Sequence, residues 1–569
     1  MLKTNSRRHE RGASMQLNEL WGPGRPPGAG WTRRRTIAAF VALFAVIVPF
    51  VALADTGQNG SSYETYGSFV APALERAAAA DPAGRLAVIV QSSNGTAAAE
   101  RALAAGSGQT AGFGQTKQLD LVGGVATTVP AARLDDLAST PGLTITPDTP
   151  VVLDGNPGAT QGRTSNCKCD KPSRKYHGAR PPAIAIVDSG IDASRPDFAG
   201  RVAAAVDLSS LQPNSPGDGF GHGTFVAGVA AGSAPGYSGA APTAPIVSID
   251  VMNDAGMART SDVIRAAQWI LANKDRYNIG VANFSLHAAG PSSFRYDPLD
   301  RAIEGLWFSG VVVVTAVGNY GLPNGPSGVP TAPGNDPFVL TVGALDGSPK
   351  DTPVLQEVAA PWSAYGYTYD GFAKPELAAT GRYVVGPVPA DSTLARQQPD
   401  KIVAPGYMQL SGTSFAAPLV SGAAATLMGV HPDWTPDQVK GALLVSARPL
   451  PKAAPLSVGV GALDADRAVA EKAPPSANLA LDRFLVTLSG DSVPSFDGAA
   501  WVAAAKANPS WDALTWQAPA WNRSKALVSW SDVSWSDVSW SDVSWSDVSW
   551  SDVSWDDLAG NPALSDPPG

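Results

Sequence analysis

The run Ala183-Ile184-Ala185-Ile186-Val187, followed at once by Asp188-Ser189-Gly190-Ile191-Asp192, is the most informative stretch of the chain. An unbroken apolar run leaves no polar face, so a strand here must be buried on both sides. The polar, glycine-containing stretch behind it is turn chemistry. The same design recurs outward from this point. Strand-like runs Ile246–Val251, Val281–Leu286, Val311–Ala316 and Phe338–Val342 alternate with helical stretches Phe225–Ala231, Ser261–Lys274 and Asp300–Phe308. This pattern predicts an α/β fold, a doubly wound, mostly parallel sheet, over residues 181–471. Chemistry in such a sheet sits beyond the carboxyl ends of its strands, which is where Asp188 stands.

On the N-terminal side, residues 55–155 read as a small α+β unit. Strand-like Leu86–Gln91, Lys117–Val122, Gly124–Val129 and Leu143–Val152 enclose helical Thr96–Ala105 and Ala131–Ala138. The order β-α-β-β-α-β is the ferredoxin-like arrangement. Residues 156–180 are polar and rich in Gly, Pro, Lys and Arg, as an exposed linker is. Residues 1–54 have the layout of a secretory signal: Arg33-Arg34-Arg35, the apolar run Ile37–Leu53, and Ala52-Leu53-Ala54 before the cut. Pro49 interrupts that run, and about 17 residues is the lower limit for spanning a bilayer. The mature form is therefore expected to be secreted and extracellular, with no stable membrane span.

On the C-terminal side, residues 472–528 form a linker (Lys472-Ala473-Pro474-Pro475-Ser476) and a Trp/Ala-rich region. Residues 529–557 repeat Val-Ser-Trp-Ser-Asp, with Trp530, Trp535, Trp540, Trp545, Trp550 and Trp555, and residues 558–569 end the chain. A period of five fits neither helix nor strand; successive tryptophans would alternate between the faces of a strand. The tract reads as low-complexity chain without a core of its own, and its partner is not indicated.

A chain of 569 residues exceeds one hydrophobic core. A net charge of −9 argues against nucleic acid as a partner, which calls for a concentrated basic face. Cys167 and Cys169 cannot make a disulfide framework, and two thiolates are half a zinc site; they read as incidental or locally paired.

Four motifs carry chemistry. Asp188 ends a buried strand, where a carboxylate is held rigidly enough to orient a histidine. His222 lies in Gly221-His222-Gly223-Thr224, between glycines that allow close backbone approach. Ser414 lies in Ser411-Gly412-Thr413-Ser414-Phe415-Ala416-Ala417-Pro418 at the start of a helix, where free N–H groups can face a developing oxyanion. Asn319 follows the buried strand Val311–Ala316 and offers an amide donor. Each alone reads as a turn, cap or loop residue; all four at element ends of one α/β domain do not.

Their order and wording resemble the subtilisin-like serine peptidases, the subtilase family, over roughly residues 181–466. Arg195-Pro196-Asp197, Asn283-Phe284-Ser285-Leu286 and Lys374-Pro375-Glu376-Leu377-Ala378-Ala379 extend the likeness. The resemblance implies an endopeptidase acting on proteins or peptides. In it Ser414 is the nucleophile, His222 the base, Asp188 its orienter, and Asn319 with the Ser414 N–H the oxyanion site. It implies that Ser285 and Leu286 pair with substrate backbone beside a pocket near Gly318. It also implies that the unit 55–155 is an inhibitory propeptide, self-cleaved between about 150 and 175. No cofactor is implied. Asp197 matches a family calcium ligand, but the loop Ser233–Ser238 is short and poor in carboxylates, so no metal is assigned. The chain departs from the family at His287, where glycine is usual, at Phe225, where a second histidine is common, and in the insertion 382–408. The competing reading is a surface-binding protein with a silent protease domain and a functional Trp-rich tail; four intact site residues argue against it. An α/β-hydrolase esterase is excluded, since Gly-x-Ser-x-Gly is absent and the histidine precedes the serine.

Overall fold

The computed structural model describes residues 67–105, 116–153, 171–172, 176, 180–322, 325–346, 357–487 and 494–507. The expected signal peptide, most of the 156–180 linker with Cys167 and Cys169, and the tryptophan repeats lie outside the described residues.

The smaller unit comprises β1 (Phe69–Val70), α1 (Pro72–Ala80), β2 (Arg85–Ser92), α2 (Thr96–Ala105), β3 (Lys117–Leu119), β4 (Gly124–Pro130), α3 (Leu134–Ala138), β5 (Leu143–Pro147) and β6 (Pro150–Leu153). Its sheet runs β1-β5-β2-β4-β3, antiparallel except where β1 joins β5. Val88, Val90, Leu103, Val125, Leu134 and Ile145 fill the space between sheet and helices. The stretch 143–152 was expected as one strand but forms two. Pro147 and Pro150 lack N–H donors, so an unbroken ladder cannot run through them, and β6 joins a different sheet.

The larger unit comprises β7 (Ala183–Asp188), β8 (Val202–Asp207), α4 (His222–Ala231), β9 (Ile246–Asp250), β10 (Met257–Arg259), α5 (Thr260–Tyr277), β11 (Ile279–Phe284), β12 (Leu286–Ala288), α6 (Pro298–Phe308), β13 (Val312–Ala316) and β14 (Leu340–Leu345). Seven strands, in the order Leu377–Thr380, β14, β13, β11, β7, β9, β8, pair in parallel throughout. The inner strands are buried on both faces, as their unbroken apolar runs require. The edge strands β8 and Leu377–Thr380 were not expected, because alanine-rich segments carry little β signal. The run Val281–Leu286 breaks at Ser285: β11 stays in the large sheet, while β12 leaves it and pairs with β6.

The helix Thr413–Val430 crosses the large sheet. Among the described residues it is the one helix long and apolar enough to span a membrane, and 83% of it is buried within the protein, as a core helix is. Residues beyond 471 also join this body. Trp501 is 1% exposed and stacks on Phe372 at 5.7 Å, and Phe496 lies edge-on to Phe338 at 5.4 Å. Part of the Trp/Ala-rich region is thus held by aromatic anchoring, which leaves no periodic trace in a sequence.

Lys440, on the helix Pro436–Ser446, is a buried tie between these layers. Its Nζ donates to the carbonyls of Pro337, Phe338 and Val339 at 2.9, 3.0 and 3.1 Å, to Glu376 at 3.3 Å and to Asn478 at 3.2 Å. Burial pushes its amine below the usual lysine range, while the Glu376 carboxylate favours the charged form. Removing one partner of such a pair strands the other charge. Lys440→Met is predicted to destabilise the protein by about 3–5 kcal/mol, read as a lowered midpoint in urea unfolding.

Candidate active site

Asp188 is the last residue of β7 and is fully buried. Its two carboxylate oxygens lie 2.8 and 3.0 Å from Nδ1 of His222, the first residue of α4. A carboxylate on Nδ1 sets the tautomer with the proton there and leaves Nε2 with a lone pair. Among the described residues Nε2 has no hydrogen-bond partner. Gly223 is required beside this histidine: a Cβ there would lie 2.1 Å from the Gly190 carbonyl oxygen, in the turn behind Asp188.

Sequence reasoning passed over three polar residues here, two of which, Ser189 and Asp218, hold the backbone around this pair, while the third ties the helix bearing Ser414 to β11. Ser189 Oγ donates to Asp218 at 2.8 Å and accepts from the Gly223 N–H at 3.0 Å. Asp218 also accepts from the N–H groups of Gly221 and Thr224, at 2.6 and 2.8 Å. Burial pushes the Asp218 carboxyl up to about 7, against the downward pull of its hydrogen bonds. The only signal available was its place four residues before His222, where an aspartate in a glycine-rich loop reads as turn chemistry. The third is Ser421, which donates to Asn283 Oδ1 at 2.8 Å; Asn283 in turn donates to Ser285 Oγ at 2.9 Å.

Ser414 is the second residue of the helix Thr413–Val430. Pro418 lies inside this helix, past its first turn. It sits where its missing N–H would have bonded the Ser414 carbonyl, and that carbonyl instead accepts from Ser285 Oγ at 2.9 Å. The motif thereby ties helix to strand end. Ser414 Oγ donates to the Ser285 carbonyl at 3.3 Å. The ring of its neighbour Phe415 lies 5.3 Å from that of His222 and 4.5 Å from that of Phe225. Asn319 Oδ1 accepts from the N–H and Oγ1 of Thr413, at 2.9 and 3.1 Å. With Oδ1 so engaged, its Nδ2 faces the turn into the helix: a Cβ on Gly412 would stand 3.3 Å from it. Gly318 N–H donates to Thr413 Oγ1 at 3.3 Å. Leu286 begins β12, opposite Leu153 of β6. β6 lies between β12 and β10, antiparallel to both, so the smaller unit occupies the groove that Ser285 and Leu286 border.

The insertion 382–408 braces the histidine side. Val384–Pro387 and Ile402–Ala404 pair with Tyr407–Leu410, and Thr393 N–H donates to the Gly219 carbonyl at 2.9 Å. The Asp197 carboxylate is engaged by Arg195 at 3.0 Å and by the Tyr407 hydroxyl at 2.6 Å.

Residues 180–470 match the subtilase family. Over 296 residues the chain is 33% identical to serine protease AprX of Bacillus subtilis strain 168, covering 50% of this chain and 65% of that protein. It is 31% identical to subtilisin E of the same strain over 262 residues, covering 46% and 58%. To subtilisin DY of Bacillus licheniformis it is 31% identical over 283 residues, covering 49% and 88%. The match thus spans less than two thirds of AprX and subtilisin E.

A hydroxyl made nucleophilic by this histidine should react with a fluorophosphonate. Asp188→Asn keeps the shape but offers an N–H where Nδ1–H needs an acceptor. The rate of Ser414 labelling is expected to fall by several powers of ten, on the order of the 10⁴ lost in turnover by such triads.

Proposed function

The chain belongs to the subtilase family, and on that premise we propose that it is a serine endopeptidase cutting protein or peptide substrates through an acyl-enzyme on Ser414. The observation that carries this is the buried imidazole of His222, held on Nδ1 by Asp188, without a partner at Nε2 among the described residues, and 5.3 Å from the ring of Phe415, the residue after Ser414. Ser414 Oγ turns from the Ser285 carbonyl, passes its proton to Nε2 and attacks the scissile carbonyl carbon. The negative oxygen is held by Asn319 Nδ2 and the Ser414 N–H. The C–N bond then breaks, and the amine leaves with the proton from His222. Water, deprotonated by the same nitrogen, releases the acid and restores Ser414.

The enzyme is made as a zymogen and exported. β6 fills the groove from within the same chain and pairs on both sides, as an extended peptide substrate would. The unit ending in β6 therefore acts as an intramolecular inhibitor, and self-cleavage falls just beyond it, within residues 150–175. No feature of the site among the described residues favours a silent protease domain.

Two outcomes test this reading. The Ser414→Ala precursor should stay full length where the wild type is shortened, as seen by intact mass; shortening of the variant at the same point would assign the cut to another protease. Asn319→Ala should lower kcat on a peptide substrate by about 10²–10³ with little change in KM, a magnitude known from subtilisin itself.

A further inference from the structure

The chain entering His222, Gly219-Phe220-Gly221, is held by two sets of hydrogen bonds. In the first, Asp218 accepts from the N–H groups of Gly221 and Thr224. In the second, the segment 382–408 supplies the donors. Its short helix Thr393–Gln397 opens, like any helix, with N–H groups that have no acceptor within the helix. The Thr393 N–H donates to the Gly219 carbonyl and the Leu394 N–H to the Phe220 carbonyl, both at 2.9 Å. The third, of Ala395, donates to the capping Ser392 Oγ at 3.3 Å. That serine is buried against the same turn: a Cβ on Gly221, whose φ is +104°, would stand 2.5 Å from Ser392 Oγ.

The segment is itself fixed to the body of the protein, as a brace must be. Its strand Val384–Pro387 lies along α4. A Cβ on Gly228 would stand 2.2 Å from Pro387 Cδ, and one on Gly386 would stand 2.8 Å from the ring of Phe225. Arg195 donates to the Val388 carbonyl at 3.0 Å, and the Tyr407 hydroxyl donates to Asp197 at 2.6 Å. Arg195 and Asp197 belong to the chain between β7, which ends at Asp188, and β8. One segment is thereby bonded both to the chain that enters His222 and to the chain that leaves Asp188.

Resting on the peptidase reading above, we propose that Ser392, Thr393 and Leu394 are positioning residues for the reaction: the N–H groups of Thr393 and Leu394 hold the backbone entering His222 so that its Nε2 is presented to the Ser414 hydroxyl. They act through that backbone, while Ser414 and His222 perform the chemistry. Proton transfer needs its two atoms within hydrogen-bond reach, and a displacement of about 1 Å caused by a remote change can cost on the order of 10²-fold in rate. The strand edges that hold β6 belong to β10 and β12, elsewhere in the chain, so the loss falls on kcat rather than on KM.

Thr393→Pro deletes one of these donors where proline fits. Position 393 is the first of its helix, which accommodates proline best, and Ser392 already has the extended backbone (φ −67°, ψ 156°) that a residue before proline adopts. Thr393→Ala is the control: it keeps the N–H and loses only the side chain, with the bond its hydroxyl accepts from Arg396. Active sites are counted by fluorophosphonate titration run to completion, and kcat and KM on an internally quenched peptide are expressed per titrated site. Thr393→Pro is expected to lower kcat per site by about tenfold or more at unchanged KM, with Thr393→Ala close to the wild type. A merely structural bond would lower the titre and leave kcat per site unchanged; that result overturns the proposal, as does a loss carried by KM or an equal loss in Thr393→Ala. Should Thr393→Pro not fold, Ser392→Gly decides. Glycine is tolerated as a helix cap but removes the contact over Gly221; a fall in kcat per site at unchanged KM supports the proposal, and a wild-type value overturns it. A wild-type protein that neither reacts with the fluorophosphonate nor cleaves the peptide overturns the peptidase reading itself.

Discussion

The parallel pairing of β7, β11 and β13 is the constraint on which the site depends. Asp188 ends the first of these strands, Ser285 follows the second, and Asn319 stands three residues beyond the third. A slip of one residue in either pairing would turn each strand's side chains to the opposite face and separate these groups. The register is safe because the strands are buried on both sides: Val187, Ala282, Phe284 and Val313 are fully enclosed. The helix bearing Ser414 is then fitted to this frame by polar ties rather than by packing alone, through Ser421 to Asn283 and through Ser285 to the Ser414 carbonyl.

Placing so many polar groups in a dry interior is costly unless each finds a partner. Asp218 shows how the cost is met. Its buried carboxylate accepts from the Ser189 hydroxyl, next to Asp188, and from the N–H groups of Gly221 and Thr224, on either side of His222. The bonds that compensate for burying the charge are therefore the same bonds that fix His222. Lys440 works similarly at the chain leading into β14, where one ammonium gathers three successive carbonyls. In both places a single buried charge organises backbone that has no regular structure of its own.

These two groups also mark what a sequence shows and what it conceals. The inner strands, the helices between them and the positions of Asp188 and His222 at element ends were legible, because unbroken apolar runs and residues at element ends are local signals. Asp218 was not, since its partners lie apart along the chain, Ser189 just after β7 and Gly221 and Thr224 at the start of α4. β8 and Leu377–Thr380 escaped notice because alanine says little about strands. The break at Ser285 was hidden for the opposite reason: apolar character continues through it while the partner changes. Pro418 was seen, but its consequence depends on Ser285, more than a hundred residues away.

The same break makes room for β6. Once β12 leaves the large sheet, its edge is open to an extended segment, and β10 offers a second edge facing it. Main-chain pairing on two sides holds any extended peptide in one register, whatever its side chains, so it supplies affinity without choice. His287, set on β12 itself, and Tyr320, one residue past Asn319, meet edge to face at 5.9 Å, so the two strand extensions that leave the large sheet beside β6 are tied to each other by their own side chains.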